Sequence, residues 1–382
     1  MLTNIRPYLI SLLAILAFSV KAAVIPAPPQ LAASAYVLMD AASGEVVAES
    51  GADGQFAPAS LTKMMTSYIV EHEVAAGNIG MDDMVPISVK AWKTEGSRMF
   101  VREGTQVRLE DLLRGVIIQS GNDASVALAE YVAGSEEAFA ELMNQHAERL
   151  GLKNTHFMNA TGLPAEGHYS SPRDLALIGR ALIQDFPEQY KIYSEKYFTY
   201  NDIKQPNRNR LLWRDPTVDG IKTGHTNEAG FCLVSSAQRE GMRLIAVVLG
   251  TTSDNARAQE SQTLLAYGFR FFRNFPMYAA GQELNRPQVW KGEVDTVGIG
   301  LTSDLSMTIP RGSEDKLAAN LDLPPVLEGP IEAGQVLGYL SVSLDGKELR
   351  REPLVALSAV PEAGLLKSIW HSIVLFFNSM FG

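Results

Sequence analysis

Ser60-Leu-Thr-Lys63, Ser120-Gly-Asn122 and Lys222-Thr-Gly224-His225 stand in that order along this chain, and together they supply what serine acyl transfer needs when a lysine replaces histidine as base. Residues three apart on a helix share one face, so an amine at 63 reaches the hydroxyl at 60. An amine is a base only when neutral, and the reference pKa of lysine is near 10.4, so its surroundings must lower it. The positive end of the helix macrodipole and the apolar neighbours Met64 and Met65 both act in that direction. A cation in a first helical turn also costs about 0.3 to 1 kcal/mol, which a sequence shaped for stability alone would avoid.

The remaining residues fit the other tasks of the same reaction. The N–H of Ser60 at a helix start is one oxyanion donor, and the N–H of His225 is the second. Ser120 relays a proton between Lys63 and the leaving amine, and the Asn122 amide holds a peptide carbonyl. Lys222 offers positive charge to a carboxylate and depresses the Lys63 pKa, Thr223 donates to that carboxylate, and Gly224 lets substrate backbone approach. Each segment has a plainer reading alone. Serine and asparagine cap helices, glycine permits a turn, and lysine and threonine suit an exposed strand. The ordered set, with each member on a suitable element, carries the chemical reading.

Those elements follow from pattern. Ala35–Asp40 and Glu45–Ala48 read as a hairpin around Ser43-Gly44. Helices are expected over about 60–76, 109–119, 123–132 and 136–150, and from Ser171-Pro172 onward, where Leu175, Leu177, Ile178 and Leu182 recur at helical spacing. Strands return at 218–222, 231–237 and 243–249. Strands, then helices, then strands predict an α+β domain with an antiparallel sheet flanked by helices over 23–276. From about 277 helical periodicity gives way to short strands and turns such as Asp345-Gly346, which predicts a small all-β domain over 277–360, read as a spacer.

Composition narrows the partners. The chain has 382 residues, 46% hydrophobic and 20% charged, with a net charge of −10. The apolar run Leu9–Val20 after Arg6, followed by Lys21-Ala22-Ala23, reads as a signal peptide over 1–22, too short to span a bilayer. Its removal takes the charge to about −12, so nucleic acid is excluded as a partner. Cys232 is the sole cysteine and reads as a packed strand residue. No cofactor is implied, and no metal: His72, His146, His156, His168, His225 and His371 form no ligand-spaced cluster.

Ser-x-x-Lys with a Ser-x-Asn triplet and Lys-Thr-Gly is the signature of penicillin-binding proteins and class A β-lactamases. Over nearly the whole mature chain the sequence resembles the D-alanyl-D-alanine carboxypeptidases among the low-molecular-mass penicillin-binding proteins. Gly96-Ser-Arg-Met-Phe100, Leu113–Ala124, Tyr169-Ser-Ser-Pro-Arg-Asp174 and Val218–His225 carry the likeness beyond the three motifs. The resemblance implies a β-lactamase/transpeptidase-like domain and attack by Ser60 on the bond between the terminal D-alanines of peptidoglycan stem peptides. It further implies covalent inhibition by β-lactam antibiotics, and a place for Arg208 near the substrate carboxylate. Class A β-lactamases carry a Glu-x-x-Leu-Asn pentad that is missing between Asn122 and Lys222, and Gly121 stands where they usually have aspartate. A DD-endopeptidase, a weak β-lactamase and a membrane-tethered wall-binding protein remain as alternatives.

The last segment, 361–382, divides cleanly on a helical wheel. Leu365, Leu366, Ile369, Trp370, Ile373, Val374, Phe376, Phe377, Met380 and Phe381 share one half; Lys367, Ser368, His371, Ser372, Asn378 and Ser379 share the other. An amphipathic helix lying on the periplasmic face of the inner membrane is expected, against docking onto the protein's own surface.

Overall fold

The computed structural model describes residues 25–381; the expected signal peptide lies outside the described residues. The first body is built on a five-stranded sheet. In chain order its strands are β1 (Ala35–Asp40), β2 (Val46–Ser50), β3 (Val218–Thr226), β4 (Gly230–Arg239) and β5 (Met242–Thr251). They lie in the spatial order β2-β1-β5-β4-β3, every pair antiparallel. Alternation along β1 explains why both faces are covered. Val37 and Met39 join the larger core with the helical region, whereas Tyr36 and Leu38 join a second core with Leu264 and Leu265. That second core is closed by a helix at Asp254–Phe271, and the first face is packed by helix Pro172–Asp185. The latter begins with Ser171 as its cap, accepting the N–H of Asp174, and Pro172 at its first turn.

The helical region surrounds α1 (Lys63–Ala75). Every residue from Lys63 to Glu71 is buried, so this is a central helix apolar on most sides, and a polar group on it is there at a cost. Helix α2 (Leu109–Arg114) is shorter than its pattern suggests, because Gly115–Gln119 widens into a π-helical turn ending at Ser120 with φ 64°. A Cβ at Gly115 would lie 2.3 Å from the Met99 sulfur, so glycine lets the segment carrying Met99 press against the turn. Helices α3 (Asn122–Ala133) and α4 (Glu136–Arg149) follow.

Beyond the helix at Asp254–Phe271, strand β6 (Phe272–Tyr278) pairs with β7 (Leu305–Pro310). The second body is therefore engaged from Phe272, upstream of the boundary expected at 276. Strands β8 (Leu317–Asp322), β9 (Val336–Leu344) and β10 (Lys347–Ala356) form an antiparallel sheet with Ile299–Gly300 at its edge. Its core, Val289, Ile299, Met307, Ile309, Leu340, Val342 and Leu354 among others, is separate from the two above. The bodies meet at the β1–β2 turn. Ser43 shares a 2.6 Å hydroxyl hydrogen bond with Thr308, and Arg350 donates to the Ser43 carbonyl at 3.1 Å. A last helix, α5, spans Leu365–Phe381.

Candidate active site

Ser60 lies in a 3-10 turn, Ala59–Thr62, that leads into α1. It does not act as a cap, since neither end of that turn has a side-chain cap bond. Ala59 just before it has φ 47°, a left-handed conformation that costs a non-glycine residue energy and projects the turn out of the helix line. The turn is held from behind: a Cβ at Gly162 would sit 1.8 Å from the Ala59 carbonyl oxygen, so only glycine allows that contact.

Lys63, the first residue of α1, is fully buried. Its Nζ donates to Ser60 Oγ at 3.2 Å, to Asn122 Oδ1 at 2.7 Å and to the Thr161 carbonyl at 2.6 Å. The two shorter bonds come from oxygens 59 and 98 residues away and aim the amine at the hydroxyl. Burial, followed by the positive charge of Arg208, lowers its pKa to about 7; Asp123 and Glu136 act the other way. The amine is thus poised near neutrality, where a general base works best.

The second segment sits opposite. Ser120 is buried in its left-handed conformation, and its Oγ makes no hydrogen bond. The Asn122 amide is fixed at both ends, since its Nδ2 donates to the Glu95 carbonyl at 2.6 Å. Asp123, which pattern reading passed over, accepts the N–H groups of Met99, Phe100 and Val101 and so ties the 97–101 segment to the start of α3.

Strand β3 forms the third wall and is an edge of the sheet. An edge strand leaves one row of backbone groups free to pair with an extended ligand. Thr223, Gly224 and His225 line the cleft. Gly224 also matters to the chain's own packing. A Cβ there would meet the Pro58 carbonyl at 3.1 Å, Leu61 Cγ at 3.2 Å and Ala59 Cβ at 3.3 Å, so the glycine admits the chain's own nucleophile turn against β3. Lys222 lies beneath the surface. Burial first, then Lys63, Arg208 and Arg257, hold its pKa well below the ordinary lysine value. The strongest charge effect on Lys63 comes from Arg208 rather than Lys222.

The cleft measures about 660 Å³ and is lined by Ser60, Ser97, Ser120, Gln205 and Asn207, with Arg208, Arg210 and Arg257 at one end. Arg208 makes no hydrogen bond among the described residues and is free to meet an anion. Arg257 was missed in the sequence. It reaches from the helix behind the sheet, pairs with Asp254, and donates to the Gly224 carbonyl at 3.0 Å, which fixes the end of β3. Arg210 pairs with the same aspartate. An acidic protein thus lines one cleft with three arginines, a potential suited to a carboxylate. Cys232 is buried on β4, as its pattern suggested.

The histidines depart from expectation at one place. His72 and Glu73 near the end of α1 and His146 on α4 have ligand-type atoms all within 4.8 Å of one another, a cluster hidden from sequence by the long separation of its members.

Against known proteins, the D-alanyl-D-alanine carboxypeptidase family model matches residues 22–253, and that of the penicillin-binding protein 5 C-terminal domain matches 272–362. The chain is 46% identical to the D-alanyl-D-alanine carboxypeptidase DacA of Escherichia coli K12 over 366 residues, covering 94% of this chain and 91% of that one. It is 47% identical to DacC of the same strain over 362 residues, covering 93% and 90%. Its fold is similar to crystal structures of penicillin binding protein 5 from Haemophilus influenzae, with a TM-score of 0.85 at 45% identity, covering 88% of this chain and 100% of that one. A buried lysine bonded to a serine, facing a Ser-Gly-Asn turn across a Lys-Thr-Gly edge strand, and matches over both bodies agree on one conclusion: the chain belongs to the D-alanyl-D-alanine carboxypeptidase family of serine peptidases, the penicillin-binding proteins.

Proposed function

We propose that this chain is a serine-type D-Ala-D-Ala carboxypeptidase that removes the terminal D-alanine of peptidoglycan stem pentapeptides. The observation that carries this is the Lys63 amine, buried, lowered to about 7 and hydrogen-bonded to Ser60. The substrate lies along the free edge of β3, its terminal carboxylate meeting Thr223 and Arg208. Burial first, then the nearby cations, lower the Lys222 pKa, and the substrate's negative charge acts in the opposite direction, favouring its charged form. Asn122 holds a peptide carbonyl of the stem.

Neutral Lys63 takes the Ser60 proton while Oγ bonds to the carbonyl carbon of the penultimate D-alanine. Charge developing on the carbonyl oxygen is met by the N–H groups of Ser60 and His225. Ser120, whose hydroxyl has no hydrogen-bond partner among the described residues, passes the proton from Lys63 to the departing nitrogen. The C–N bond breaks and D-alanine leaves, with an ester remaining on Ser60. Water then attacks that ester, with Lys63 accepting its proton, and Ser60 is restored. A β-lactam presents a carbonyl and a carboxylate in the same relation and acylates Ser60.

The protein acts on the periplasmic face of the inner membrane, exported through residues 1–22 and held by residues 361–382. No described helix is long and apolar enough to cross a membrane, which suits a helix lying in the interface. Its polar side is taken by the second body: Lys367 donates to the Glu293 carbonyl at 2.9 Å and pairs with Asp295 at 2.7 Å, and His371 Nδ1 accepts the N–H of Lys291 at 2.8 Å. On the apolar side Leu366 is 84% and Trp370 62% exposed.

The test is release of D-alanine from a pentapeptide ending in D-Ala-D-Ala by the mature protein and by Ser60→Ala. Release by the first and none above background by the second is expected. Equal release by both removes the mechanism.

A further inference from the structure

We propose that His72, Glu73 and His146 form a binding site for a divalent transition ion of the zinc type, on the far side of the helical region from the cleft. The three are the one group of metal-ligating side chains that converge in this way among the described residues. Two ligands at the zinc distances of about 2.0 to 2.2 Å in a tetrahedron stand roughly 3.4 Å apart. His72 Nδ1 and Glu73 Oε1 already stand 3.2 Å apart, close to such an edge. Bringing the remaining ligand atoms from within 4.8 Å to that spacing takes about 1 Å of movement, and His72 and Glu73 are partly exposed and free to make it.

A second observation points to a ligand. His146 is 2% exposed and closes the inner side of the cluster. Its contacts are edge-on to the rings of Tyr68, at 5.8 Å, and His72, at 4.8 Å. Held in this way by ring contacts, its imidazole is placed to offer a nitrogen to a metal ion. Glu73 is steadied as a ligand should be, because Asn78 donates to its other oxygen at 2.7 Å. Two imidazoles and a carboxylate suit zinc, with water in the fourth position.

The nearby cation is Arg149, whose Nη2 stands 3.5 Å from His72 Nε2, the ring nitrogen other than the one that faces Glu73. The ion is structural for the fold rather than part of the chemistry. His72 follows Lys63 by nine residues on α1, about 14 Å along the helix. It joins the end of α1 to α4 and so braces the helix that carries Lys63.

Calorimetric titration of the metal-free full-length chain with zinc chloride, with thermal unfolding in parallel, tests this. One saturable site is expected, with Tm raised by roughly 5 to 10 °C at a hundredfold excess over Kd. His72→Gln and Glu73→Gln, both partly exposed and unlikely to disturb packing, should each weaken binding at least tenfold, while His156→Gln leaves it unchanged. Arg149→Gln should tighten binding severalfold by removing the nearby cation. Penicillin labelling of Ser60 should be the same in all four variants, which keeps this result separate from the proposed activity. Absence of saturable binding to the native chain, or binding that survives His72→Gln and Glu73→Gln together, overturns the site.

Discussion

Two regions of the described chain, the start of α1 and the C-terminal helix, break opposite rules of burial. At the start of α1 the protein hides Lys63 from water, and across the cleft it hides Lys222 as well. At its C-terminus α5 leaves Leu365, Leu366, Ile369, Trp370, Ile373, Phe376, Phe377 and Met380 exposed. Neither choice favours the isolated fold. A buried amine gives up hydration, which is why its pKa falls, and an uncovered apolar stripe forgoes the hydrophobic gain of about 25 cal/mol per Å². The difference lies in what relieves each cost. The Lys63 amine is satisfied by protein oxygens, whereas the helix has its polar side satisfied by the second body and its apolar residues exposed.

The comparison fails first if the buried amine is not needed. Lys63→Ala should slow acylation of Ser60 by fluorescent penicillin by about 10³-fold or more at pH 7, near the upper part of the range for a lost general base. Retained circular dichroism would show that the fold survives, and unimpaired labelling would make the amine a structural feature only. At the other end, deleting residues 361–382 should move the protein from the vesicle-bound to the free fraction in flotation, while D-alanine release from a soluble pentapeptide changes less than twofold. Modest salt should not mimic the deletion, because Lys367 is the only fixed cation on α5 and is already paired. A truncated protein that still floats with vesicles would place the membrane contact elsewhere.

A smaller effect sharpens the cleft half. Arg208→Ala should raise KM for the pentapeptide by roughly 10-fold with less change in kcat, the size of a lost charge-assisted hydrogen bond of about 1.5 kcal/mol. The same substitution also removes the main charge that depresses Lys63, so its acylation profile should shift toward higher pH. An unchanged profile would leave burial as the sole cause.

Much of this was legible because it is local. Ser60 and Lys63 are three residues apart, Ser120 to Asn122 are consecutive, and the alternation along Lys222 to His225 marks a strand, so spacing alone placed them on suitable elements. What spacing does not show is who else arrives. The Thr161 carbonyl and Arg257 reach the cleft from far along the chain, and a backbone carbonyl has no sequence signature. The close fits at Gly162 and Gly224 depend on the turn at Ala59, which looks like ordinary helix start in the sequence. The π-helical turn at Gly115–Gln119 was hidden because its apolar spacing also suits a regular helix. His72 and His146 escaped for the same reason as Arg257: their nearness is made by packing of α1 on α4.

The most direct test is the pH dependence of Ser60 acylation by a penicillin under single-turnover conditions. Below its pKa Lys63 is an ammonium and has no lone pair to accept the serine proton; above it the base is fully available. With that pKa lowered to about 7, the rate should fall about tenfold per unit below pH 6, reach half its maximum near pH 7 and level off above pH 8. A rate equal at pH 5.5 and 8.5, or one still climbing toward pH 10 as for an ordinary lysine, would contradict the account.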